Sequence, residues 1–243
     1  MKANQYWEEV LCFARSLWYQ EEERCALCGQ IGQAICPACT ADYLCPELPR
    51  CQKCGKLLSE GKKLCLVCEA GNGPRQLDKV TAWGCYAGSL REFIQQVKFE
   101  ARPRRLQEIT RTFADWAIRQ LPVPDGLVAV PMHDSRLAER GFNQTEVIAS
   151  ALHWELGLPI IEGIEKIKAT PSQAALSRQE RLWNLQDAYA VRDAAMFQGL
   201  RVWVVDDVTT TGSTLEALAE ILRKSGVQRI YGLCLAAGRE YFE

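Results

Sequence analysis

A chain of 243 residues is long for one domain and short for two full ones, which predicts one main domain with a small module attached. Apolar residues at 48% and charged residues at 24% suit a globule with a sizeable core. A net charge of −1 excludes a chain that is basic throughout, so any nucleic-acid surface must be local.

No apolar run reaches the length of a membrane span, and residues 1–20 lack the pattern of a secretory signal, so a cytoplasmic setting is expected. In that first segment Trp7, Val10, Leu11, Ala14, Leu17 and Trp18 recur at helical spacing and predict an amphipathic helix.

Residues 21–70 are rich in cysteine. Of the twelve cysteines, eight form four C-x-x-C pairs: Cys25/Cys28, Cys36/Cys39, Cys51/Cys54 and Cys65/Cys68. Two such knuckles complete a tetrahedral tetrathiolate zinc site, and in the cytosol this pattern favours a metal over disulfides. An iron–sulfur cluster would use the same ligands. Sequential pairing is preferred because short loops close at lower entropic cost; cross-braced pairing is the alternative. Cys45, between the pairs, is a candidate spare ligand, and Cys12, Cys85 and Cys234 read as buried apolar residues. The nearby cations Arg50, Lys53, Lys56, Lys62 and Lys63 are expected to offset the negative charge of thiolate sites. Residues 71–78, with Gly71, Asn72, Gly73 and Pro74, read as a linker.

Residues 79–243 alternate between strand and helix patterns. Strands are expected at Val80–Tyr86, Leu127–Val130, Arg201–Val205 and Val227–Ala236. Helices are expected at Leu90–Phe99, from Pro103 to about Gln120, at Gln144–Leu156 and at Ser213–Lys224. The alternation predicts an α/β fold, a doubly wound and mostly parallel sheet, with ligands beyond the carboxyl ends of its strands.

The most informative stretch is Val202–Thr214, in which an apolar strand ends in Asp206 and Asp207 and runs through Val208, Thr209, Thr210, Thr211, Gly212, Ser213 and Thr214 into a helix. Loop N–H groups and hydroxyls at a helix start suit a phosphate, and Gly212 permits close backbone approach. Carboxylates beside that phosphate can accept hydrogen bonds from ribose hydroxyls. An ordinary helix cap explains the hydroxyls but not two acids at the end of a buried strand.

This segment resembles the phosphoribosyl pyrophosphate (PRPP) motif of type I phosphoribosyltransferases. Over nearly the whole chain the sequence is similar to the ComF family, the competence protein F or GntX type. The resemblance is carried by the four-knuckle module, by Val97-Lys98-Phe99, by Val128–Gln144 (VAVPMHDSRLAERGFNQ) and by Lys168–Asn184 (KATPSQAALSRQERLWN). Position 168 is Lys where Arg is usual, which weakens a bidentate phosphate contact.

The resemblance implies that Asp206 and Asp207 contact the ribose 2′ and 3′ hydroxyls and that Thr209–Thr214 hold the 5-phosphate. It places pyrophosphate at Pro131–His133, with Lys98, His133, Arg136, Arg140, Arg178 and Arg181 as candidate phosphate contacts and magnesium bound with PRPP. It implies a part in DNA uptake or utilisation, with single-stranded DNA and DNA-uptake or recombination proteins as candidate partners. The run Lys98, Arg102, Arg104, Arg105, Arg111 is a candidate DNA contact, with a solvated helix face as the plain alternative. Two other functions stay open: an active transferase moving ribose 5-phosphate to an unknown base or amine, and a PRPP sensor or scaffold without turnover.

Overall fold

A computed structural model describes residues 23–45, 48–59, 61–99, 105–169, 185 and 187–240. The expected amino-terminal helix, Arg102, Arg104, Arg178 and Arg181 lie outside them.

The core is a four-stranded parallel sheet of β1 (Lys79–Cys85), β2 (Gly126–Ala129), β5 (Arg201–Thr209) and β6 (Arg229–Ala237), in the order β1-β6-β5-β2. Val202, Trp203, Val204 and Val205 are wholly buried, as a central strand covered on both faces requires. The pleat sends Trp203 and Val205 to one side and Val202 and Val204 to the other.

On the first side pack α1 (Gly88–Phe99), α2 (Arg105–Gln120) and α4 (Gln144–Leu156). Helix α2 buries Leu106, Ile109, Phe113, Ala114 and Ala117, a stripe at helical spacing. Helix α4 begins where the Asn143 side chain accepts from Thr145 N–H, and it ends at left-handed Gly157. On the second side α5 (Ser213–Lys224) buries Leu215, Leu218, Ala219 and Leu222, with Glu216 in its first turn and Arg223 and Lys224 in its last, each matching the helix dipole.

Two elements depart from the expected order. Asp134–Arg140 is a helix, α3, capped by His133, whose Nδ1 accepts from Ser135 N–H at 3.2 Å. A small antiparallel pair, β3 (Ile164–Lys166) and β4 (Tyr189–Val191), stands apart from the main sheet. Strand β5 also continues past its expected end, because Asp206 and Val208 stay in register with Cys234 and Ala236 of β6. No helix among the described residues is long and apolar enough to cross a membrane.

The cysteine module does not hang on a linker. Leu57 and Leu58 are buried, and Leu57 bonds with the chain beyond β6, donating to Gly238 O and accepting from Glu240 N–H. Gly73 and Pro74 of the expected linker are buried too. Arg50 is no loose counter-charge: its guanidinium donates to Ala82 O (2.6 Å) and Trp83 O (2.7 Å) of β1, and to Leu44 O (2.8 Å) and Leu48 O (2.9 Å).

Candidate functional site

Where β5 gives way to α5, two cavities open side by side. The first, about 370 Å³, is walled by Tyr86, Lys98, Asp206 and Val208–Leu215. The second, about 240 Å³, is walled by Pro131, Met132 and His133, by Arg136 and Arg140 of α3, by Asn143–Thr145, and by Lys166 and Tyr189 of the β3–β4 pair. Lys98, Asp206, Val208 and Thr214 belong to both, so the acid end of β5 is the partition between them.

The partition is charged and largely closed to solvent. Asp206 and Asp207 are 8% and 6% exposed. Asp206 Oδ1 accepts from Asp207 N–H at 2.9 Å. Burial, reinforced by the neighbouring Asp207, pushes the Asp206 carboxyl up to about 7 against the pull of Lys98. Lys98 Nζ lies 2.7 Å from Asp207 Oδ2, a largely buried, charge-assisted ion pair. Among the described residues the buried Thr209 hydroxyl has no hydrogen-bond partner, a deficit of about 1–3 kcal/mol in a finished interior.

The hydroxyl-rich turn is built by Gly212, left-handed at φ +74, which heads α5. Thr211 and Ser213 hydroxyls share a 2.8 Å hydrogen bond, and Thr214 faces both cavities. Across the cleft, Asn143 Nδ2 (3.1 Å) and Thr145 Oγ1 (2.6 Å) both donate to Val130 O, which fixes the turn that carries Pro131–His133. Arg140 donates to Gln144 Oε1 at 2.7 Å.

The structure thus brings together Asp206, Asp207, Val208–Thr214, Lys98, His133, Arg136 and Arg140 from three separate stretches of the chain. Lys98 turns into this cleft beside Asp207, so it does not join Arg111 on a solvated basic face. Asn143, inside the Val128–Gln144 motif, also lines the cleft, as do Lys166, Tyr189, Tyr86 and Thr145, which carry no motif that marks them. Lys166 lies over the Tyr189 ring at 5.6 Å; burial and Arg136 draw its ammonium down while Asp206 holds it up.

The eight knuckle cysteines form two cages by sequential pairing, Cys25, Cys28, Cys36 and Cys39, then Cys51, Cys54, Cys65 and Cys68, the sulfurs of each within 4.8 Å of one another. Contacts of 3.7 Å (Cys28–Cys36) and 3.6 Å (Cys54–Cys65) match the roughly 3.8 Å separation that zinc–sulfur bonds of about 2.3 Å impose on a tetrahedron. Backbone N–H groups of Cys39 and Cys65 point at Cys36 and Cys51 sulfurs. A hydrogen bond from the Cys54 thiol takes Cys51 down to about 4 despite burial, while burial and the Cys51 charge push Cys68 up to about 12. Crowded sulfurs of this kind ionise together only around a cation, so the donor set fits one. Cys45 is not a spare ligand: it stands outside both cages, donating to Asp42 O at 3.3 Å.

A parallel sheet whose central strand ends in paired acids and a hydroxyl-rich helix start defines a phosphoribosyltransferase-type domain, and residues 137–242 match the family described as phosphoribosyl transferase domain. Competence protein F of Haemophilus influenzae is 33% identical over 83% of this chain and 90% of its own. DNA utilization protein YhgH of Salmonella typhi is 28% identical over 87% and 88%, and competence protein ComFC of Streptococcus pneumoniae is 24% identical over 91% of each. The chain belongs to this ComF/YhgH family.

Proposed function

We propose that the chain binds PRPP with magnesium across the two joined cavities and acts in DNA uptake or utilisation. In this reading the ribose hydroxyls meet Asp206 and Asp207, the 5-phosphate sits on Thr209–Thr214, and pyrophosphate faces Pro131–His133, Arg136, Arg140 and Lys166. The observation that carries it is the partition itself: two buried acids with one lysine, between a cavity of hydroxyls and N–H groups and a cavity of cations. The Thr209 hydroxyl in the first wall, which has no partner among the described residues, supports a phosphate there. Hard carboxylate and phosphate oxygens suit magnesium held mainly through the ligand and water. The cages suit zinc in a structural role, since all ligand positions are taken by protein sulfur.

Calorimetric titration of PRPP with magnesium tests the reading. Wild type should bind, and Asp206→Ala should bind at least about tenfold more weakly, the loss of one good hydrogen bond. No binding by wild type would end it.

The relatives' names, competence protein F and DNA utilization protein, support the DNA part; a cytoplasmic location and single-stranded DNA as partner complete the proposal. Its test is binding of single-stranded DNA that weakens steeply between 50 and 200 mM salt, roughly as the number of phosphate contacts dictates.

Turnover is a second reading, favoured by the cations around the pyrophosphate side, which would stabilise a departing anion. Pyrophosphate release from PRPP across a panel of bases and amines tests it.

A further inference from the structure

The second cysteine cage and the hydroxyl-rich turn are in contact through the segment Gly73–Gln76. At Gly73 an added Cβ would lie 2.6 Å from Cys68 Sγ, so its backbone is pressed on the cage. At Gly212 an added Cβ would lie 2.7 Å from Pro74 Cγ and 3.9 Å from Cys54 Cβ. The next two N–H groups of the segment are tied to the same helix start: Arg75 N–H donates to Glu216 Oε1 at 2.7 Å and Gln76 N–H to Oε2 at 3.1 Å. Further along, the Arg223 guanidinium donates to Gln76 O at 3.1 Å.

We infer that this strap makes the second cage the backing of the phosphate turn, with Pro74 as the positioning residue. The turn takes its shape from one left-handed glycine, a conformation that leaves N–H groups free to converge on an anion. Such a turn has alternatives of similar energy unless something holds it. Pro74 has a fixed φ and lies buried between Gly212 and the cage, so it limits where Gly212 can go. An ion in the second cage fixes Cys54 and Cys68, and through them the strap. The first cage packs elsewhere, with Leu44, Trp83 and Phe113. The two cages therefore have different consequences for the cleft.

The inference deepens the PRPP reading, and its experiment separates the two. In the full chain, Pro74→Gly is compared with wild type for metal content, for amide exchange without ligand at position 216, whose N–H donates to Gly212 O of the turn at 2.8 Å, and for affinity toward ribose 5-phosphate and toward pyrophosphate. The expected result is unchanged metal content, exchange at the turn at least tenfold faster, ribose 5-phosphate bound about tenfold more weakly and pyrophosphate bound as before. Glu216→Ala unties the strap without altering a cysteine or the turn, and should shift the same two readouts in the same direction. Wild-type exchange at the turn in both variants would overturn the inference. If wild type binds no sugar phosphate, the PRPP reading falls, and the exchange comparison alone still decides the strap.

Discussion

Lys98 reaches from the last turn of α1 to Asp207 on β5, Nζ to Oδ2 at 2.7 Å, with side-chain exposures of 18% and 8%. A cation so placed offsets the repulsion between two adjacent buried carboxylates and also faces both cavities. Lys98→Met leaves Asp207 without its counter-charge, so stability should fall by about 3–5 kcal/mol. In Lys98→Met/Asp207→Asn much of that loss should return, while PRPP affinity should not. Denaturant unfolding and calorimetry on the two variants check this.

Asp206 links the cleft to pH. Its folded carboxyl titrates near 7 because of burial and Asp207, whereas the unfolded chain gives up that proton near 4. The folded state therefore holds the proton more tightly. The stability this contributes is complete below about pH 4 and is lost as pH rises to 7. Ligand binding runs the other way, since the ionised carboxylate is the better partner for hydroxyls and a cation. PRPP–magnesium affinity should rise through pH 7 with proton release, and Asp206→Asn should flatten both trends. Titration calorimetry in buffers of different ionisation enthalpy reads the proton directly.

Arg50 holds the cysteine module to β1 through four carbonyl oxygens and lies 5.3 Å from the Trp116 ring centroid. Arg50→Met should cost about 3–5 kcal/mol, since truncation leaves part-buried carbonyls without donors. Arg50→Lys should recover little, because a point charge cannot serve carbonyls on both sides of the joint. Thermal midpoints of the three proteins decide.

Stripping the metal should unfold residues 23–69, because so small a segment cannot bury enough apolar surface alone. Acid should have the same effect as a chelator, since the ligands bind as thiolates. Far-ultraviolet dichroism with metal release followed by a colorimetric chelator would show both together, and a module that stays folded after release would contradict it.

Lys166 tests the pyrophosphate side alone. Lys166→Met should weaken pyrophosphate about tenfold, one charge-assisted contact, and leave ribose 5-phosphate unaffected.

What the sequence carried well were features set by local chemistry. Helices α4 and α5 lie at the expected residues because Asn143 and Gly157 cap one and a four-residue apolar stripe defines the other. Knuckle pairing followed from loop length, and the acids with their turn followed from an unbroken apolar run before them. What it did not carry depends on distant partners. Strand β5 outran its apolar run because β6 supplies ladder partners to Thr209. The β3–β4 pair is three residues a side, too short for a period to register. Lys166 and Arg50 look like any surface cation until the fold sets Asp206 beside one and β1 carbonyls beside the other. The linker read from Gly and Pro was a composition signal for a turn; whether such a turn is free or packed is decided by Gly212 on the far side of it.

Strand β1 is the border of the parallel sheet, and its outer rim is where the cysteine module sits: Arg50 takes Ala82 O and Trp83 O, and Val80 N–H donates to Gln52 O. A bare rim of this kind is a template for stray strands from other chains. Cutting the protein at residue 70 would thus do more than delete the two cysteine cages. It would strip the cover from that rim and yield a product prone to self-association, so the transferase-type half is unsuited to study as an isolated fragment.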